Sequence, residues 1–389
     1  MSGMRFDTRL VHGGRRPSAG TGDVVPPIHV STTYERRAQD EPRYFYGRGE
    51  NPTREELEEC LAGLERAPFA TVFSSGQAAA ATLLSLVRPG QCVVSTDDVY
   101  AGTDGLFDLA ARQGVRVRYA DLTTPEGIAA ALAEPDLALV WIETPTNPLL
   151  TVVDVAEVSR RAHERGARVV VDNTFASPVL QQPLALGADV SLYSTTKSIA
   201  GHADVLGGAL VYRDADLHAA VRAYRTTAGN VPGALDCFLV RRGLHTLSLR
   251  VHRQVATARV LVERLRASPV VGAVHYPGLP EHPQHAVVKA QMSAPGAIVS
   301  FDYLGGPAER LLDRFTLFTC GVSLGGVHSL VECPALMTHR PLSAEARARR
   351  GIGESLIRLS VGIEDPQDLA EDLSRALAGG TLEHHHHHH

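Results

Sequence analysis

The chain has 389 residues, 44% of them hydrophobic and 21% charged, with 38 basic and 43 acidic side chains for a formal net charge of −5. Setting aside residues 381–389 as a tag remnant, since Leu382 to His389 reads as a cloning scar with a hexahistidine tag, leaves 42 acids and 12 of the 18 histidines. This balance excludes a polyanion-binding footprint, and a chain so apolar and so long, able to bury roughly three quarters of its unfolded surface, is not globally disordered.

The start, Met1 to Gly14, carries Arg5, Asp7 and Arg9 where a signal peptide needs an apolar core. The longest apolar candidate, Gly76 to Val87, falls short of the ~18 residues of a membrane helix. A cytoplasmic protein with no membrane or nucleic-acid partner is expected. Residues 1–52 read as an extended arm, rich in Gly, Pro and Arg and without a sustained period. A capping box, Thr53 with Glu56, then predicts a helix carrying Leu57, Cys60, Leu61 and Leu64.

From residue 69 short apolar runs recur at Phe69–Phe73, Cys92–Ser95, Val115–Tyr119, Leu137–Ile142, Arg168–Val171, Val190–Tyr193 and Gly208–Tyr212, most of them separated by helical stretches. The alternation predicts an α/β domain over 53–234, with a mostly parallel seven-stranded sheet covered by helices on both faces. One long helix over 235–268 is expected to link it to a smaller C-terminal α+β domain over 269–380. There, strands at Val270–Tyr276, Ala297–Tyr303 and Leu356–Val361 alternate with helices at Ala308–Leu317 and Gln367–Leu377. The five cysteines, an odd number with no two-residue spacing, suggest buried thiols and no metal site.

Three features fall at the carboxyl ends of predicted strands, where open α/β sheets bind ligands. Ser74-Ser75-Gly76-Gln77 stands between a strand and an apolar helix, where backbone N–H groups hold phosphate. Val169-Val170-Val171-Asp172 ends an apolar strand in an acid, which at that depth needs a cationic or donor partner. The strand from Asp189 runs into Ser194-Thr195-Thr196-Lys197, and the only other lysine is Lys289. A scarce strand-end lysine, a strand-end aspartate and a phosphate turn together are what a pyridoxal phosphate site needs: a lysine for the Schiff base, an acid for the pyridine nitrogen and amides for the phosphate.

With Tyr46-Gly47-Arg48-Gly49-Glu50-Asn51-Pro52-Thr53-Arg54, Glu143-Thr144-Pro145-Thr146-Asn147-Pro148, Asp172-Asn173-Thr174-Phe175, Ser194 to Lys197 and Leu356-Ile357-Arg358-Leu359-Ser360-Val361-Gly362, the chain resembles the cysteine and methionine metabolism family of pyridoxal phosphate enzymes from about residue 5 to residue 378. The resemblance implies the aminotransferase type I fold and a cofactor, pyridoxal 5'-phosphate, bound through Ser75, Gly76, Gln77, Ser194 and Thr196. Asp172 resembles the pyridinium partner and Lys197 the Schiff-base lysine and proton shuttle. Asn147 would lie near the cofactor's phenolic oxygen, and Tyr100 resembles the tyrosine that stacks on the ring and can serve as acid to a leaving thiolate. Tyr46 and Arg48 resemble a pair that reaches the phosphate of a neighbouring subunit, which implies a homo-oligomer with shared sites, a tetramer built from dimers. Arg358, with Ser323 beside it, resembles the grip on the substrate carboxylate.

In the cystathionine lyases that the chain resembles, charged side chains commonly occupy three places that here hold Phe45, Gly105 and Val322. A distal zwitterion against Phe45 and Val322 loses several kcal/mol of solvation without compensation, whereas a methylthio group fits. The expected activity is therefore γ-elimination from methionine, with cystathionine γ-lyase and a γ-replacing synthase as alternatives. Two departures stand against the pattern: Gly102, where methionine lyases carry cysteine and the cystathionine enzymes glycine, and His328, where glutamate is common.

Overall fold

A computed structural model describes residues 3–382; the hexahistidine lies outside the described residues. The seven expected strands are β1 (Phe69–Phe73), β2 (Cys92–Thr96), β3 (Arg116–Ala120), β4 (Leu137–Glu143), β5 (Arg168–Asp172), β6 (Val190–Ser194) and β7 (Gly208–Tyr212). They form one sheet in the order β1-β7-β6-β5-β4-β2-β3. β7 runs antiparallel to β1 and β6, and every other pairing is parallel. Parallel neighbours need a crossover, usually a helix, and the β6–β7 link has none, so the chain turns straight back.

The covering helices of this part are α1 (Phe6–His12), α2 (Pro52–Leu64), α3 (Gly76–Ser85), α4 (Ala101–Arg112), α5 (Pro125–Leu132), α6 (Val155–Glu164), α7 (Ser177–Leu180), α8 (Ala215–Ala228), α9 (Ala234–His245) and α10 (Leu247–Arg266). Successive strand residues point to opposite faces, and both are covered. Val93, Trp141, Val170 and Leu210 pack under α3, α4 and α8. Val94, Val140, Val171 and Val211 face α2, α5, α6 and the α9–α10 pair.

A second, smaller domain holds β8 (Val271–His275), α11 (His285–Gln291), β9 (Ile298–Tyr303), α12 (Ala308–Arg314), β10 (Thr319–Cys320), β11 (Leu330–Glu332), α13 (Ala344–Arg349), β12 (Leu356–Ser360) and α14 (Pro366–Ala378). Its strands lie in the order β10-β11-β12-β9-β8. Val299, Phe301, Ile357 and Leu359 pack against Leu261 and Leu265 of α10 and Leu369 and Leu373 of α14.

Four expectations need correction. The cap of α2 is Asn51, whose Oδ1 accepts from the Thr53 and Arg54 amides at 2.9 and 3.0 Å; the Thr53 hydroxyl instead accepts from the His29 amide of the arm at 2.9 Å. The arm contains α1, whose Leu10 is buried and whose end is held by Arg241 on the Leu10 carbonyl at 2.7 Å. The single linking helix is two, broken at Thr246, because the break lets Arg250 donate to the Ser198 carbonyl at 2.7 Å and brace the loop after Lys197. The helix expected to reach Leu317 stops at Arg314: Asp372 takes the amides of Thr316, Leu317 and Phe318 at 2.8–3.1 Å. β10 and β11, two and three residues long, are too short to show a period.

Candidate active site

The carboxyl ends of β1, β4, β5 and β6 meet the Val322–Leu324 loop and β12 around a cavity of about 570 Å³. Of the residues singled out by sequence, Ser75, Gly76, Gln77, Tyr100, Asn147, Asp172, Ser194, Thr196, Lys197, Val322, Ser323 and Arg358 line it. Phe45, Tyr46, Arg48 and Gly105 do not. Phe45 is 68% exposed under the Arg36 guanidinium, and Arg48 donates to the Thr226 carbonyl at 2.8 Å while lying over the Tyr46 ring.

β1 ends in Ser74-Ser75, and Ser75 caps α3 by accepting from the Ala78 amide at 3.0 Å. The first-turn amides of Gly76 and Gln77 have no intrahelical acceptor, and the helix dipole adds positive potential. A Cβ on Gly76 would stand 3.0 Å from the Ser194 Cβ, a tight contact that glycine avoids. Likewise a Cβ on Gly208 would stand 2.1 Å from the Ser75 carbonyl oxygen, so β7 closes on this turn only without a side chain. The cradle of amides and the Ser194 hydroxyl suits a phosphate. The Thr196 hydroxyl is engaged with Gly207, accepting from its amide at 3.0 Å.

β4 and β5 end in register, Glu143 beside Asp172. The Thr174 hydroxyl donates to Asp172 at 2.7 Å and accepts from the Ser194 amide at 2.9 Å, tying β5 to β6. Glu143 accepts from the Tyr100 amide at 2.7 Å. Burial pushes both acids above the usual carboxylate range, Glu143 further because Asp172 lies beside it. At Asp172 the two bonds from Thr174 and the nearby Lys197 oppose that shift and favour the charged form. A carboxylate at the cavity floor suits the nitrogen of a pyridine ring. Lys197 is held below its usual range by burial and by Arg358, which favours the neutral, nucleophilic amine; its Nζ donates to Ser323 Oγ at 2.8 Å.

Arg358 on β12 is fully buried opposite Glu332 of β11, 3.5 Å away. It donates to Asn147 Oδ1 at 3.1 Å and to the Ser323 carbonyl, and its buried Nε has no partner among the described residues. An open N–H on a guanidinium is a ready place for a carboxylate. Ser323 has φ +91, a conformation held by its surroundings rather than preferred by a serine. Sequence reasoning gave no role to Glu143, although it ends a strand in an acid as Asp172 does, nor to Glu332, Thr338 and Pro341.

The glycine-lined cradle, the strand-end anion and the depressed lysine fit pyridoxal phosphate, and the comparisons with known proteins agree. The model of the Cys/Met metabolism PLP-dependent enzymes matches residues 7–378. The chain belongs to that family. Cystathionine gamma-lyase of Dictyostelium discoideum is 43% identical over 96% of this chain and 97% of its own. Cystathionine gamma-synthase of Mycobacterium bovis is 45% identical over 95% and 96%. Among solved structures, apo CalE6, a methionine gamma lyase from Micromonospora echinospora, is 97% identical over 97% of this chain and all of its own, with a TM-score of 0.93. The family's cofactor is pyridoxal 5'-phosphate, and the chain is an enzyme of γ-elimination or γ-replacement in sulfur amino acid metabolism. Among the described residues no helix is long and apolar enough to cross a membrane, and no three His, Cys, Asp or Glu side chains gather as metal ligands.

Proposed function

We propose that this chain cleaves L-methionine with water to methanethiol, 2-oxobutanoate and ammonia. The observation that carries the reading is the charge pattern of the cavity. Among the described residues of the single chain its charged lining residues are Glu143, Asp172, Lys197 and Arg358, all engaged at the floor or on the carboxylate grip, while Leu206, Val322, Leu324, Phe175 and Pro341 are apolar. None of these wall residues compensates the distal ammonium and carboxylate of cystathionine, and a methylthio group needs no such partner. The name of the 97% identical methionine gamma lyase supports the same substrate.

Bound pyridoxal phosphate supplies an electron sink that acidifies the substrate's Cα–H. In this reading Ser75, Gly76, Gln77, Ser194 and Thr196 hold its phosphate, Asp172 meets its ring nitrogen and Asn147 its phenolic oxygen. Arg358 and Ser323 would hold the substrate carboxylate and the Lys197 amine would remove the Cα proton; loss of a Cβ proton then supplies the electron pair that expels the γ-thiolate, and the Tyr100 hydroxyl would give that thiolate a proton. Tyr46 and Arg48, off their own cavity, serve the site of a neighbouring subunit, and Phe45 goes with them as part of its wall. The active unit is accordingly a dimer, two of which build a tetramer.

Gly102 leaves room for this placement of Tyr100: a Cβ there would lie 2.5 Å from the Tyr100 ring and 2.7 Å from Gln77 Nε2, so these side chains would have to shift. Glycine at this place is shared with cystathionine enzymes, which keeps cystathionine γ-lyase as the second reading. The experiment is product analysis by mass spectrometry with methionine, cystathionine and O-acylhomoserine plus cysteine offered in parallel. Methanethiol from methionine at the highest kcat/KM is expected; faster cleavage of cystathionine, or conversion of the acylhomoserine to cystathionine, overturns the assignment.

A further inference from the structure

The run Arg347-Ala348-Arg349-Arg350 lies at the end of α13. Two of its arginines behave differently. Arg349 pairs with Glu345 one turn away, and its side chain is 69% exposed. Arg350 turns inward and crosses to the large domain: its Nη1 donates to the Val99 carbonyl at 3.0 Å and its Nη2 to Asp104 Oδ2 at 2.9 Å. Both partners of that ion pair are only 16% exposed.

Val99 and Asp104 bracket Tyr100, which stands at the N-cap of α4. A cation at a helix N-terminus is disfavoured by the dipole, so its presence there rests on the specific partner, Asp104, in the first turn. Asp104 is itself fixed by the Tyr119 hydroxyl at 2.6 Å, and the Tyr100 amide is held from the other side by Glu143 at 2.7 Å. Asp98, half-buried two residues before Tyr100, has Arg350 as its opposing cation and Asp97 and Asp104 as like-charged neighbours. Arg350 is thus the cation set against Asp97, Asp98 and Asp104 at the base of the Tyr100 loop. The segment that delivers Arg350 also lines the cavity, through Thr338 and Pro341.

We propose that Arg350 is a positioning residue: by gripping the backbone before Tyr100 and the carboxylate after it, it ties the cavity-lining segment of the small domain to the tyrosine that serves the leaving group. The idea rests on the role of Tyr100 under Proposed function, not on which sulfur amino acid is cleaved. Arg350 itself does not line the cavity.

The test uses the holoenzyme and whichever of methionine and cystathionine the wild type turns over. Arg350→Ala and Asp104→Asn each lower kcat about tenfold, with KM changed less than about threefold, and the double variant loses no more than either single one, as members of one unit do. Arg350→Lys, which keeps the charge toward Asp104 but lacks the fork, recovers part of the loss. In a Tyr100→Ala background Arg350→Ala changes kcat less than about twofold. Additive losses, or a tenfold loss that persists without Tyr100, overturn the proposal by showing a role independent of the tyrosine. If Arg350→Ala loses bound cofactor or its fold, Arg350→Gln, which keeps a donor for Val99, is read in the same cycle. A wrong substrate assignment shows in the wild type alone, whereas a wrong positioning role shows in the variant ratios.

Discussion

The floor of the cavity and its wall are built by different means. The floor is the end of a parallel sheet: Trp141, Glu143 and Thr144 are buried, Asp172 is fixed by Thr174, and Arg250 braces the backbone behind Lys197. The wall is made of loop residues, with Leu206 65%, Val322 54% and Tyr100 45% exposed in the single chain. Chemistry that demands fixed charges and a depressed amine sits where the backbone cannot move, while the side chains that meet the variable end of a substrate sit where substitution costs little stability.

The sharpest test of the floor is Lys197→Ala. Loss of activity by about 10⁴-fold or more is expected, with loss of the yellow colour of the lysine-linked cofactor and an unchanged far-ultraviolet dichroism spectrum. An unaltered visible spectrum would falsify the role of Lys197, since the only other lysine is Lys289 on α11.

Whether the wall is completed from outside the chain is tested by mixing. An Arg48→Ala subunit and a Lys197→Ala subunit, each inactive alone, give hybrid dimers in which one site has both native parts. With random pairing about a quarter of wild-type activity returns. Hybrids that assemble but stay inactive break the idea that the arm serves its neighbour.

A smaller effect is expected from the wall itself. Val322→Glu adds an acceptor for the distal ammonium of cystathionine and an uncompensated charge against a methylthio group. A charge-assisted hydrogen bond contributes on the order of 1.5–3 kcal/mol, so the kcat/KM ratio moves toward cystathionine by roughly tenfold or more. An unchanged ratio places the determinant of substrate choice elsewhere.

The same division explains what could be read without a structure. β5 is legible as Val169-Val170-Val171 because a strand buried on both faces is a continuous apolar run, and its terminal acid announces a ligand. Lys197 is conspicuous by scarcity. The Thr246 break is hidden because the apolar spacing continues through it, from Leu244 and Leu247 to Val251, and only the distant Ser198 carbonyl explains it. Arg350 and Glu332 are illegible for the same reason: their partners lie far along the chain or across a strand pair too short to show a period. Tyr46 and Arg48 are legible by resemblance alone, and within one chain they do not line the cavity.

The last prediction concerns how the floor is backed. Glu65, 3% exposed, accepts from the Ser191 and Tyr193 hydroxyls at 2.8 Å each, and Tyr193 in turn accepts from Asn173, the neighbour of Asp172. Burial pushes the Glu65 carboxyl up to about 7 from 4.5. A raised acid binds its proton more tightly in the folded state, so its contribution is fully present below pH 4.5 and lost as the pH rises through 7, a span worth ~3 kcal/mol. Glu65→Gln imitates the protonated side chain and removes this dependence. The melting temperatures of the two proteins are therefore expected to be close at pH 5, with the variant above wild type by a few degrees at pH 8. Parallel curves across that window would mean that Glu65 ionises without cost, and that the network behind Asp172 is wetter than its burial indicates.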